Sequence, residues 1–314
     1  MTADDLLATP LRIGTRGSDL AMWQSNHVRD CLRAHWGEGL TVELDVISTK
    51  GDQIQDRPLH EVGGKGLFVK AIEERLLDGS VNLAVHSMKD MPAVGPQGLT
   101  IACTPPREDP RDAVVGKPGQ SVTLTELPAG TRVGTGSLRR GALVKRLNPA
   151  VEVVPIRGNV PTRVGKVDSG EVDVVILAAA GLRRLDMADR ISELLAEDQF
   201  LPAPAQGILA LQCRTEDART KALLEPLIDP DTAVRTAAER GFLVRLGASC
   251  TVPLGCYATL EDGVVTVTGM VVDPSGEPCH VATRTGPAAD ADAMGRDLAE
   301  ALLAQGAGAI VERY

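Results

Sequence analysis

Three short segments of this 314-residue chain place arginine beside small residues where a strand should pass into a helix. They are Gly134-Thr135-Gly136-Ser137-Leu138-Arg139-Arg140, Arg157-Gly158-Asn159-Val160-Pro161-Thr162-Arg163 and Ala180-Gly181-Leu182-Arg183-Arg184. Small residues let a backbone approach a ligand, and helix N-terminal amides favour negative charge. Guanidinium grips carboxylate through two parallel hydrogen bonds, so arginine repeated at such turns suits a small ligand with several carboxylates. Any one segment reads equally well as solvated surface charge. Three at equivalent places in one lobe argue for a ligand, while Lys145, Arg146 and Arg183 read as surface charges.

Other chemistry-bearing residues lie outside that lobe. Val85-His86-Ser87-Met88-Lys89-Asp90-Met91-Pro92 follows a buried strand, and a carboxylate there beside Lys89 could steady a developing cation. The bland reading is a capping Asp ahead of a turn and a hydrogen-bonded structural His86. Val62-Gly63-Gly64-Lys65-Gly66-Leu67-Phe68 is no P-loop, because Lys65 is followed by Gly66 rather than Ser or Thr. It reads as a lid carrying a cation ahead of a helix. Cys250 lies in Gly247-Ala248-Ser249-Cys250-Thr251-Val252-Pro253-Leu254-Gly255. A lone cysteine is usually packed structure, yet small neighbours and a following proline favour an exposed thiol. Cys103, Cys213 and Cys256 sit in or near apolar stretches and read as structural.

These residues need elements to position them. Leu11–Thr15 reads as a buried strand, and Asp19 as the cap of a helix to about Trp36 with Leu20, Trp23, Val28, Leu32 and Ala34 on its apolar face. Thr41–Ser48 alternates as a half-buried strand. Leu67–Leu77 reads as a helix closed by Gly79, and Val81–Val85 as a strand. This order implies a parallel sheet. Residues 104–112 form a proline-rich crossing, after which the pattern restarts: strand Thr131–Gly134, helix Leu138–Leu147, strand Val151–Ile156, helix Thr162–Asp168, strand Val172–Ala178. Leu201 to Gly207 reads as a second crossing, leading to the strand Ile208–Cys213. Helix Asp231–Leu246, antiparallel strands Tyr257–Leu260, Val264–Asp273 and Cys279–Arg284, and helix Asp292–Leu303 close the chain as an α+β domain. Two α/β lobes joined by two crossings suggest a ligand cleft at the carboxyl ends of the strands, closing by hinge motion.

Composition narrows the partner. The net charge of −9 and an aromatic content of 2% argue against nucleic acid, which needs cationic surface and stacking platforms. Residues 107–190 nevertheless hold eleven Arg and three Lys against ten acids, a net of +4, whereas residues 224–314 carry −7. A cationic middle in an acidic chain suits a small polyanion. The acidic start lacks the pattern of a signal peptide, and no run is long enough to span a membrane. Six scattered cysteines without a C-x-x-C pair then read as reduced thiols, and five scattered histidines offer no metal cluster.

Taken in order, these strings resemble the porphobilinogen deaminase family over nearly the whole chain. The resemblance rests on Ile13-Gly14-Thr15-Arg16, Trp23-Gln24, Gly63-Gly64-Lys65-Gly66-Leu67-Phe68, Val85–Asp90, Arg107-Glu108-Asp109-Pro110-Arg111-Asp112, Ser137-Leu138-Arg139-Arg140, Arg157-Gly158-Asn159, Pro202 through Gly207 and the Cys250 loop. It implies two hinged periplasmic-binding-protein-like α/β domains plus a C-terminal α+β domain with an antiparallel sheet. The expected divisions are residues 1–105 with 207–224, 106–206, and 225–314. It implies a dipyrromethane primer on Cys250 through a thioether, and a transferase that adds four porphobilinogen units, releases ammonia and hydrolyses the product to hydroxymethylbilane. Asp90 is the implied catalytic residue. Ser87, Lys89, Thr135, Ser137, Arg139, Arg140, Arg157, Arg163 and Arg184 are the implied primer contacts. Arg16, Gln24 and Phe68, with Arg157 and Arg163, would meet substrate, and Gly63, Gly64, Lys65 and Gly66 would form the lid. A cytoplasmic monomer without metal, membrane or nucleic-acid partner is expected.

Three residues depart from the family pattern: Glu61 where many relatives carry lysine, Gly136 for a common serine, and Ser249 for a glycine. Two other readings compete. A non-catalytic two-lobed anion binder explains the arginines but not Asp90 or the Cys250 loop. A thiol acyltransferase using Cys250 and His86 leaves the arginine array in excess of need.

Overall fold

The computed structural model describes residues 2–49, 69–247 and 252–314. These fall into two compact units, one drawn from residues 2–49, 69–107 and 208–233, the other from 108–207, 234–247 and 252–314.

In the first unit β1 (Leu11–Thr15), β2 (Val42–Val46) and β3 (Leu83–Ser87) pair in parallel, with β1 central. β10 (Leu209–Arg214) runs antiparallel between β3 and β4 (Leu99–Cys103), giving the order β2-β1-β3-β10-β4. Both faces are covered, so the inner strands are apolar almost throughout. Helix α1 (Asp19–Trp36) sends Val28 and Leu32 to Leu83 and Val85, while α2 (Lys70–Leu77) sends Ile72 and Leu76 to Ala84 on the opposite face. Two expectations shift here. The cap of α1 is Ser18, whose Oγ accepts from the Ala21 amide, and Asp19 is the first helical residue. Its buried stripe is Ala21, Gln24, Ser25, Val28 and Leu32; Leu20 and Trp23 are half-buried and Ala34 is exposed. The 3.6-residue period selects that stripe even at the cost of two polar members. The helix expected over Leu67–Leu77 is seen as Lys70–Leu77, residues 67 and 68 lying outside the described residues.

The second unit repeats the plan. β6 (Arg132–Gly134), β7 (Glu152–Val154) and β8 (Val174–Ala178) are parallel, and β5 (Asp112–Val115) runs antiparallel between β8 and β9 (Ile191–Leu194). The order β7-β6-β8-β5-β9 matches that of the first sheet. In each, the antiparallel strand is the one that follows directly on a crossing. The two sheets therefore share one arrangement, the pair of α/β domains that was expected. The crossing read as 104–112 ends one residue earlier, because Asp112 already pairs with Ala178 in β5. Helices α3 (Leu138–Leu147), α4 (Val160–Asp168) and α5 (Ala179–Arg184) follow β6, β7 and β8.

Residues 234–246 of α6 (Pro230–Leu246), the antiparallel strands β11 (Leu254–Glu261), β12 (Val264–Val272) and β13 (Cys279–Pro287), and α7 (Ala291–Ala304) form the α+β module. Phe242 and Leu298 cover Val265 and Val267. Met270 and Val272 of β12 enter the same core as Leu143 of α3 and Phe200. Glu239, fully buried in α6, accepts from the amides of Ala205 and Ala258 and so ties the second crossing to β11.

Candidate active site

In the first unit, Arg16 and the Ser87–Asp90 segment leave the same edge, because β1 and β3 are parallel neighbours with Gly14 beside Ala84. Ligands of open α/β sheets bind at that carboxyl edge. Gln24, 3% exposed on α1, donates from Nε2 to Ser87 Oγ at 2.9 Å, which explains a polar residue on the buried stripe. Met88 to Asp90 form one 3-10 turn. Buried Met88 anchors it, its amide donating to the Ile208 carbonyl at 2.9 Å. Lys89 is half-buried, and the Asp90 carboxylate is exposed with no side-chain hydrogen bond among the described residues. A capping role for Asp90 is therefore absent from this turn; Ser87 is its N-cap residue.

His86 takes the structural role. Its Nε2 lies 3.2 Å from Gln212 Oε1, and Gln212 Nε2 donates to Glu73 Oε1 at 3.1 Å. Burial pushes the imidazole down to about 4, against the Gln212 hydrogen bond and aided by the Arg16 charge.

The second unit gathers the arginines at the carboxyl ends of β6, β7 and β8. Ser137 caps α3, its Oγ accepting from the Arg140 amide at 3.4 Å, and buried Thr135 Oγ1 accepts from the Ser137 amide at 3.2 Å. Asn159 caps α4, accepting from the Thr162 amide at 2.9 Å and the Thr162 hydroxyl at 2.6 Å. Arg163 Nε donates to the Gly158 carbonyl at 2.8 Å, and Arg157 and Arg163 are both half-buried. A Cβ at Gly136 would lie 2.7 Å from the Ile156 carbonyl oxygen. The loop before α3 thus lies against the neighbouring backbone where no side chain fits.

Arg139, Arg140 and Arg184 differ from the rest: they are 4%, 6% and 7% exposed. Arg184 Nη2 donates to the Gly207 carbonyl at 2.7 Å, and burial lowers its pKa to about 10. Arg139 and Arg140 share a carboxylate that sequence reasoning left inside a crossing. Asp112 is fully buried, with Arg139 Nη1 at 2.7 Å from Oδ2 and Arg140 Nε and Nη2 at 2.9 and 2.7 Å from Oδ1. Burial alone would raise its pKa, but the two guanidiniums and Gln206 hold it well below the usual carboxylate range. Gln206 Nε2 donates to Asp112 Oδ1 at 2.9 Å and to the Pro110 carbonyl at 2.7 Å. One signal could have found Asp112: an acid opening the apolar run Ala113-Val114-Val115 must be paired if it is buried. Arg183, read as a surface charge, is exposed and pairs with Glu108 and Asp109.

Cys250, Phe68, the lid residues Gly63, Gly64, Lys65 and Gly66, and the departures Glu61 and Ser249 lie outside the described residues. For the remainder, guanidiniums and hydroxyls on one edge of a sheet suit a ligand bearing several carboxylates.

Residues 11–222 match the family model for the porphobilinogen deaminase dipyromethane cofactor binding domain, and residues 233–304 that for the porphobilinogen deaminase C-terminal domain. A porphobilinogen deaminase of Syntrophotalea carbinolica is 51% identical over 304 residues, covering 97% of this chain and 96% of its own. The protein of that name from Syntrophobacter fumaroxidans is 48% identical over 302 residues, with 96% and 97% covered. That of Chromobacterium violaceum is 50% identical over 295 residues, with 94% of each covered. The chain belongs to the porphobilinogen deaminase family.

Proposed function

We propose that this chain is a hydroxymethylbilane synthase of tetrapyrrole biosynthesis, joining four porphobilinogen units head to tail with loss of ammonia and hydrolysing the product to hydroxymethylbilane. The observation that carries the reading is the row of arginines leaving three parallel strands of one sheet: Arg139 and Arg140, Arg157 and Arg163, and Arg184. Such a row suits a growing chain whose carboxylates accumulate with each unit.

Dipyrromethane suits the same donors through its acetate and propionate groups, and when bound it supplies the primer to which units are joined. Cys250 is the attachment residue in this reading, through a thioether. Thr135 and Ser137 accept backbone amides, which leaves each hydroxyl hydrogen to donate to a carboxylate. Ser87 and Lys89 add contacts from the first sheet. Arg16, Gln24, Phe68, Arg157 and Arg163 meet the incoming unit, and the Gly63-Gly64-Lys65-Gly66 segment serves as lid. As the aminomethyl C–N bond of a unit breaks and ammonia departs, positive charge develops on its pyrrole. Asp90, exposed and without a competing side-chain partner among the described residues, is the carboxylate to steady it. The division into residues 1–105 with 207–224, 106–206 and 225–314, a monomeric state and a cytoplasmic setting belong to the same proposal.

Intact-mass measurement tests it. Substrate added to the purified holoenzyme should produce discrete heavier species, each step one porphobilinogen less one ammonia. Asp90→Ala should retain the primer mass and lose turnover by roughly a hundredfold or more. Cys250→Ser should lack the primer mass. An unchanged mass in Cys250→Ser, or near-normal turnover in Asp90→Ala, removes that residue from the scheme.

A further inference from the structure

Arg139 and Arg140 stand beside each other on α3, and consecutive helical residues point about 100° apart. Left to themselves, two such guanidiniums would repel and spread over several rotamers. In the second unit one buried carboxylate collects both. Asp112 Oδ2 takes Arg139 Nη1, and Oδ1 takes Nε and Nη2 of Arg140. Arg139 Nη1 also donates to the Leu201 carbonyl at 2.7 Å, and Arg140 Nη1 to the Ile176 carbonyl at 3.2 Å. The Phe200 ring lies 5.9 Å below the Arg139 guanidinium carbon. Gln206 fixes the carboxylate in turn, bonding Asp112 Oδ1 and the Pro110 carbonyl through one amide nitrogen. One carboxylate against two guanidiniums leaves the cluster net positive. That surplus is what an incoming anion would meet.

We infer that Asp112, held by Gln206, is a positioning residue: it locks the Arg139–Arg140 pair in one orientation for ligand carboxylates and leaves the pair a single net positive charge. The inference rests on the reading of these arginines as ligand contacts. It differs from a purely structural role, in which Asp112 would neutralise a buried charge and affect folding alone.

The test is Asp112→Asn, which keeps the shape and removes the charge. The variant should fold, as judged by circular dichroism, with a smaller fraction of purified protein carrying the primer mass. Its KM for porphobilinogen should rise roughly tenfold or more, as for loss of a charged hydrogen bond, with kcat altered less than about threefold. Wild-type occupancy and KM, even with a lowered melting temperature, would overturn the inference. Arg139→Leu separates the two layers. If it loses occupancy while Asp112→Asn does not, only the role of Asp112 falls; if it keeps occupancy and KM, the ligand role of the arginines falls and Asp112's role with it. Should Asp112→Asn fail to fold, Gln206→Leu decides, since it removes the 2.9 Å hydrogen bond to Oδ1, together with the longer 3.4 Å one that Gln206 accepts from Arg140 Nη2, and leaves both ion pairs. A several-fold rise in KM there supports the inference, and an unchanged KM overturns it.

Discussion

His86 occupies a position where a general base would be sought, one residue before Ser87 and four before Asp90. Its environment weakens it in that role, because a pKa lowered to about 4 by burial leaves an imidazole of low proton affinity, with Nε2 3.2 Å from Gln212 Oε1. The consequence falls on stability. The folded pKa lies below the ordinary value of 6.5, so the contribution is complete above pH 6.5 and is lost as pH falls toward 4. A shift of that size corresponds to about 3 kcal/mol over the window. Urea midpoints of the protein should therefore drop between those pH values, and an NMR titration placing the His86 imidazole near 6.5 would refute the assignment. The residue types at the candidate site were legible because arginine beside small residues after a strand has a direct chemical meaning. Asp112 was not, since its depth and its two partners come from strands and a helix that meet only in the folded sheet.

Among elements, the helices were the most legible, Leu138–Leu147 to the residue, because ten or more residues show their period clearly. Short strands were less so. β5 is four residues long and follows a proline-rich stretch, so its first residue, Asp112, was read into the first crossing and the other three were not read as a strand, and the strand expected over Val151–Ile156 is trimmed to Glu152–Val154. The second crossing holds a more exacting element. Gly207 has φ +89°, and a Cβ there would sit 2.3 Å from the Glu108 carbonyl oxygen. Its own carbonyl accepts from the Glu108 amide at 3.2 Å and from Arg184. Gly207→Ala must therefore strain the backbone and part the two crossings locally. A loss of about 1–3 kcal/mol is expected from strain of this kind, read as a lower urea midpoint. A midpoint equal to wild type would show that the crossings relax without cost.

At the scale of the whole molecule, the C-terminal module was legible as antiparallel from its turns, but not its shared core with the second sheet. Met270 and Val272 are buried with Leu143, Val133 and Phe200, so β12 helps close the core beneath α3. Met270→Ala should cost about 2–5 kcal/mol and loosen both sheets of the second unit together. Hydrogen exchange would register it in β6 as well as in β12; acceleration confined to β11–β13 would show the module to be energetically separate. The strand order of the first sheet carries a different implication, one of timing. β10 lies between β3 and β4, yet more than a hundred residues separate Cys103 from Leu209. A chain leaving the ribosome can join β1, β2 and β3 early, but β4 has no neighbour among the described residues to bond until residue 214 has emerged. For that interval the N-terminal sheet is split, with an open strand edge of the kind that invites aggregation, and its completion awaits synthesis of the whole intervening lobe.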